Sequence, residues 1–120
     1  MWIRKRLLYR EQYGVIPFLF PSLRKFVSDT PQPDEEKLVK YLRSGQSEWS
    51  ISGPDVKDVL NPIPGEGIRG GVVGMTDGVW VWQDSLDYYV ETYHLRLPRS
   101  FVEHARRNNW QVPENLRGRS

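Results

Sequence analysis

The chain contains no cysteine, which excludes disulfide bridges and thiolate metal ligands. It has two histidines, His94 and His104, and their spacing does not supply the three or four ligands that a zinc site needs. No run of about 18 apolar residues occurs, and Arg10 and Glu11 interrupt the apolar start, so neither a membrane span nor a signal peptide is predicted. We expect a cytoplasmic protein with no bound metal and no membrane contact.

Sequence motifs for the common enzyme classes are also missing. There is no G-x-S-x-G nucleophile motif and no G-K-[ST] phosphate loop. GEGIRG matches G-x-G-x-x-G at Gly65, Gly67 and Gly70, but Asn-Pro-Ile-Pro precedes it and the strand-like GVVGMTDG follows it. A dinucleotide site needs a strand before this motif and a helix after it, so we expect no cofactor and no enzymatic activity.

Charge is segregated along the chain although the net charge is only +2. Residues 1–27 carry +5, residues 28–94 carry −7 and residues 95–120 carry +4. Either the basic ends neutralise the acidic middle, or the middle presents an acidic surface to a basic partner. The sequence leaves both interpretations open.

The length of 120 residues predicts a single domain over residues 1–120. Residues 1–30 have no clear period; Val15-Ile16 and Phe18-Leu19-Phe20 could be short strands around Pro17, and residues 114–120 look like a frayed tail. In TPQPDEEKLVKYLRSG the acids come first, the bases come last, and an apolar face recurs at helical spacing. This pattern predicts a helix that ends at Gly45 as a left-handed cap.

The rest of the chain predicts a hairpin and two helices. Residues 44–66 are predicted to be loop, with Trp49 and Ile51 in a short strand and a helical turn at Asp55–Leu60. Asp77-Gly78 lies between two β-forming runs, which indicates a hairpin over Ile68–Trp82. The helices that follow are predicted to begin at Asp84 as N-cap and near Pro98, with Asn109 as a left-handed C-terminal cap. The fold class is therefore α+β, a small, mainly antiparallel sheet packed against about three helices.

Acids and aromatic residues are concentrated in TDGVWVWQDSLDYYVETYH, residues 76–94. Trp80 and Trp82 share one side of a strand, which is either core or an exposed aromatic patch. On a helical wheel Asp84, Asp87 and Glu91 lie opposite the apolar face, with Tyr88 at their flank. Solvent-facing acids beside an aromatic side chain are typical of an interface anchor. The candidate partner-binding residues are Asp77, Trp80, Trp82, Asp84, Asp87, Tyr88 and Glu91.

The segment TDGVWVWQDSLDYYVETYHLRLPRSFVEHARRNNWQVP, with YLRSG and DVLNPIPGEGI upstream, resembles a set of small bacterial proteins with a TDGxWxW…YYVxxYHxxLP pattern. The resemblance covers roughly residues 38–113, with Ser85-Leu86 where Asp-Leu or Ala-Leu is expected. Some of these proteins resemble immunity proteins encoded beside secreted polymorphic toxins. The resemblance implies a role as toxin inhibitor and carries over no catalytic residues.

Together these observations predict a non-enzymatic protein-binding module, an immunity protein that neutralises a cognate, basic toxin by occluding it. Two alternatives stay open. One is a small enzyme or ligand-binding protein that uses His94 near the strand of Trp80 and Trp82. The other is a nucleic-acid binder that uses the arginine-rich termini, which is disfavoured because the tryptophans lie among acids that would repel phosphate. The sequence does not determine the oligomeric state.

Overall fold

The computed structural model describes residues 5–7, 22–56, 58, 60, 67 and 69–113. Its strands are β1 (Lys5–Arg6), β2 (Gln46–Val56), β3 (Arg69–Thr76) and β4 (Trp80–Gln83). Its α-helices are α1 (Glu35–Arg43), α2 (Leu86–Tyr93) and α3 (Arg99–Arg107), and a 3₁₀ turn lies at Leu23–Lys25. The predicted α+β architecture is confirmed: a mostly antiparallel sheet packs against three helices.

The four strands lie in the order β1-β4-β3-β2. β2 pairs with β3 and β3 with β4 in antiparallel directions, whereas β1 runs parallel to β4. The turn between β3 and β4 is the predicted Asp77-Gly78 turn, and Gly78 has φ of 97°, a conformation that L side chains rarely adopt. The hairpin prediction is therefore confirmed, with the observed hairpin, Arg69 to Gln83, one residue later at each end than the predicted Ile68–Trp82.

The core lies between the sheet and the helices. Trp82 pairs with Met75 across β3–β4, which places both on the face that meets the helices. Burial of such side chains stabilises the fold by about 1.5–3 kcal/mol each. The fully buried helical residues at this interface are Leu38, Tyr41, Leu86, Tyr89, Val90, Phe101 and Ala105.

Helix ends agree only in part with the predictions. Asn109 has φ of 55°, as a left-handed cap should, and Pro98 is the N-cap of α3. The N-cap of α2 is Ser85, one residue after the predicted Asp84. The prediction for Gly45 is wrong, because Ser44 is the C-cap of α1 and Gly45 is not among the glycines with positive φ in the described residues. Gly45 is instead required by space, since a β-carbon there would lie 2.7 Å from Cζ2 of the Trp82 indole.

The largest error concerns the segment predicted to be loop, in which only the short strand at Trp49 and Ile51 is confirmed. Residues 46–56 form β2, the longest strand of the described sheet, and Asp55 and Val56 belong to it rather than to a helical turn. Irregularities in its pairing with β3 lie between Ser47 and Trp49 and between Ile51 and Asp55. Such bulges accommodate the glycine, serine and proline residues that made the segment look irregular in sequence.

Several predictions fall on residues that lie outside the description. They are the short strands at Val15-Ile16 and Phe18–Phe20, Lys57 and Val59 of the predicted helical turn, and the tail at 114–120. None of the described helices is long and apolar enough to cross a lipid bilayer.

Candidate functional site

The two indoles of β4 belong to the core. Trp80 and Trp82 are 6% and 1% exposed. The ring of Phe101 packs edge-on against both, with centroid distances of 5.3 and 5.6 Å. The two tryptophans are therefore part of the core and do not form an exposed aromatic patch. Neither indole is available to a partner in this conformation.

Asp77 lies at the centre of a buried polar network. Its Oδ1 accepts the backbone N–H groups of Val79 and Trp80, at 2.9 and 2.7 Å, which fixes the hairpin turn. Its Oδ2 accepts the hydroxyl of Tyr41 at 2.6 Å and lies 3.1 Å from Nε2 of His104. Because the side chain of Asp77 has no exposed surface, its carboxylate holds the hairpin, α1 and α3 together instead of facing a partner.

The pKa of Tyr41 is raised well above its usual value. Burial is the main cause, and the hydrogen bond to the Asp77 carboxylate adds to it. Asn108 donates to the Tyr41 hydroxyl at 3.0 Å, so this oxygen is both donor and acceptor. The network is satisfied internally, which is the condition under which buried polar groups stabilise a fold.

The acidic stripe predicted on α2 consists of Asp84, Asp87 and Glu91. A single arginine of α1 pairs with two of these acids. Arg43 Nε donates to Asp87 at 2.8 Å, and Nη2 donates to Glu91 at 3.0 Å. Asp87 is 2% exposed, so its predicted solvent-facing position is wrong, whereas the Glu91 side chain is 60% exposed. The hydrogen bond to Asp87 raises the pKa of Arg43, a base that belongs to the acidic middle of the chain.

The remaining candidates of this stretch are half-buried and hydrogen-bonded. Asp84 Oδ1 accepts the backbone N–H of Val73 at 3.1 Å, which ties the start of α2 to β3. Tyr88 and Tyr93 both donate their hydroxyls to Oδ2 of Asp58. Tyr88 also packs edge-on against Tyr89, at a centroid distance of 5.4 Å. These side chains attach α2 to its surroundings, and only Glu91 of the seven candidates is largely open to solvent.

A cleft of about 200 Å³ lies beside Glu91, between α1 and α2. The buried Val39 forms its apolar floor. Its other lining residues are charged: Glu35, Glu36, Lys40, Arg43 and Glu91. Asp87 lies behind Arg43. Counting it, the cleft has four carboxylates and two bases, which gives these six residues a net charge of −2.

One wall of this cleft carries a histidine–carboxylate pair. Nδ1 of His94 lies 2.8 Å from Oε2 of Glu35, and both side chains are mostly buried. His94 adopts φ of 52° as the C-terminal cap of α2, which turns its ring back towards the start of α1. A ring fixed in this way can orient a second nitrogen for hydrogen bonding.

Sequence reasoning missed the α1 side of this cleft. The pair Glu36 and Lys40 at helical spacing was the only signal, and it is compatible with any exposed helix face. Nothing local indicates that Arg43 reaches α2, because that contact joins residues 44 and 48 positions apart.

Within the described residues no group of three or more acids and histidines converges as a metal site would require. The buried dyads described above each contain one histidine and one carboxylate. Comparison of the chain with models of protein families, with curated proteins and with solved structures gives no match.

Proposed function

We propose that this chain is a non-enzymatic protein-binding module, a cytoplasmic bacterial immunity protein that occludes a basic toxin. The observation that carries the proposal is the α1/α2 cleft, where the exposed carboxylates of Glu36 and Glu91 lie beside an apolar floor. A lysine or arginine of the partner can place its aliphatic stem on Val39 and its cation between Glu36 and Glu91. The resemblance of residues 38–113 to immunity-like proteins supports the same role.

The proposed mechanism is steric. An excess of carboxylates speeds the encounter with a basic surface, and the bound helices then cover that surface. The residues proposed to contact the partner are therefore no longer the acidic stripe of α2 but the rim of the cleft, which Glu36 and Glu91 form. Asp77, Asp87, Trp80 and Trp82 act by supporting the helices that form the rim.

The test is a titration of the protein with the product of the adjacent reading frame at low salt. Wild type is compared with Glu36→Gln and Glu91→Gln, and the matched control is Glu103→Gln, at a partly exposed glutamate of α3 that is ion-paired with Arg106. Each rim variant should weaken binding by about 1 kcal/mol, roughly five-fold, mainly through the association rate. The control should bind as wild type does.

Two results would contradict the proposal. One is absence of binding by wild type. The other is an equal loss of affinity in the Glu103→Gln control, which would mean that net charge alone determines binding. Raising the salt concentration should reduce the difference between wild type and the rim variants, because exposed charges are screened.

The pair of His94 and Glu35 favours one alternative, a small enzyme or ligand-binding protein acting at the same cleft. Its test is His94→Asn, because asparagine tolerates the left-handed conformation of this position. A turnover that this variant abolishes, with the fold and the partner affinity unchanged, would favour the enzyme over the inhibitor.

A further inference from the structure

Strand β2 exposes two large apolar side chains at the outer edge of the described sheet. Trp49 is 41% and Ile51 is 63% exposed. Both lie on the face turned away from the helices, because Trp49 pairs with Gly74, next to the inward-facing Met75. Residues 47–53 are exposed on both faces of the strand, so α1, α2 and α3 do not cover this edge.

The Trp49 side chain is held in a fixed position. Its indole lies directly on Gly74, so close that a β-carbon at position 74 would overlap Cε2 and Nε1 of the ring. One face of the indole is therefore packed on the sheet while the rest meets solvent. A rigid, half-exposed tryptophan loses little conformational entropy on association, which is typical of an interface anchor.

We propose that β2 pairs with β2 of a second copy of this chain, antiparallel and across a two-fold axis at Ser50. The regular part of β2 between its two irregularities is the three-residue stretch Trp49–Ile51. In this register Ser50 faces Ser50, and Trp49 of each copy faces Ile51 of the other. The same aromatic and β-branched pair then forms twice, as an isologous interface requires.

Charge permits this register. The only ionisable residue in the stretch from Ser47 to Gly53 is Glu48, and the two-fold axis places it towards Ser52 of the second copy. The two glutamates therefore do not oppose each other. The irregularities on either side of the stretch end the new ladder after a few residues, so the pairing closes as a dimer and does not continue.

The area available makes the dimer a weak one. The exposed parts of Trp49 and Ile51 amount to roughly 100 Å² each, so the four side chains of a dimer bury at most about 400 Å² of apolar surface. A stable, specific interface needs about 1,200 Å² or more in total. The association is therefore concentration-dependent, and the measured mass should rise with protein concentration from 14.1 kDa towards twice that value.

Absence of cysteine from the chain allows a direct test of the register. In Ser50→Cys the two thiols lie opposite each other with β-carbons about 4.5–5.5 Å apart, within reach of a disulfide after a small adjustment. In the control Ser52→Cys the thiols are more than about 10 Å apart. Mild oxidation should convert Ser50→Cys to a covalent dimer and leave Ser52→Cys monomeric.

Sedimentation equilibrium gives an independent measurement that does not depend on the thiols. Ile51→Arg should stay monomeric at every concentration, whereas Val27→Arg, at another exposed apolar residue, should associate as wild type does. A wild type that stays monomeric, a species larger than a dimer, or equal crosslinking of both cysteine variants would overturn the proposal. None of these measurements uses the toxin, so the result is independent of the proposed function.

Discussion

Replacing Asp77 by alanine tests whether this carboxylate belongs to the fold or to a binding surface. The substitution removes the acceptor of three hydrogen bonds, and two of the donors, the Tyr41 hydroxyl and the Trp80 amide, are buried. Each buried donor left without a partner costs about 1–3 kcal/mol. Asp77→Ala should therefore lower the free energy of unfolding by about 2–6 kcal/mol, a large fraction of the roughly 5–15 kcal/mol typical of a domain.

Asp77→Asn divides this cost between the two carboxylate oxygens. An asparagine keeps the Oδ1 acceptor for the Val79 and Trp80 amides, but its amide group cannot accept the Tyr41 hydroxyl. We expect a loss of about 1–3 kcal/mol, and much of it should disappear in the Tyr41→Phe background because the unsatisfied donor is then gone.

Urea unfolding, followed by far-ultraviolet circular dichroism, measures both variants. Glu103→Ala, at a partly exposed residue of α3, is the control and should change stability by less than about 0.5 kcal/mol. A loss below about 1 kcal/mol for Asp77→Ala would refute the buried network. If Asp77→Asn were as stable as wild type but bound the partner more weakly, Asp77 would be a partner-binding residue, as the sequence predicted.

Two further predictions concern packing and pH. Gly45→Ala should cost about 1–3 kcal/mol by forcing a β-carbon against Trp82, and Gly45→Asn at least as much; a milder asparagine would instead indicate a left-handed cap. The raised pKa of Tyr41 means that the folded protein keeps a phenolic proton which the unfolded chain loses from its ordinary pKa of 10.0. The stability that this group contributes is complete below pH 10 and is lost as the pH rises beyond it. The free energy of unfolding, measured with urea at several pH values, should therefore fall less steeply with pH above 10 in Tyr41→Phe than in wild type.

The fold could be predicted where a pattern is local. The apolar face of α1, the Asp77-Gly78 turn and the proline before α3 each act within a few residues, and each prediction is confirmed. Of β2 only the short strand at Trp49 and Ile51 could be predicted, because serine, glycine and proline conceal the rest of a strand that exists through its pairing with β3. β1 was even harder to predict, because its two basic residues join the sheet only by parallel pairing with β4, over 70 positions away in the sequence.

The site was harder to predict because burial depends on a neighbouring element. A helical wheel correctly places Asp87 opposite the apolar face of α2, but it contains no information about Arg43, which approaches from α1. The prediction of a turn at Asp77 was correct, but the direction of the Asp77 carboxylate depends on its contacts with Tyr41 and His104. Charge counts gave a net excess of acid, while the pairing of individual charges follows from tertiary contacts.

The two proposed surfaces lie on opposite layers of the domain, and this arrangement has a thermodynamic consequence. The cleft of Glu36 and Glu91 belongs to the helical layer, whereas Trp49 and Ile51 face away from it on the sheet. A ligand shifts an equilibrium only by its differential affinity for the two states, and a partner at the cleft touches neither β2 nor the two-fold axis. Partner affinity should therefore be the same for Ile51→Arg as for wild type, and the complex at high concentration should contain two copies of each chain. A partner affinity that falls in Ile51→Arg but not in Val27→Arg would mean that the partner itself occupies the β2 edge.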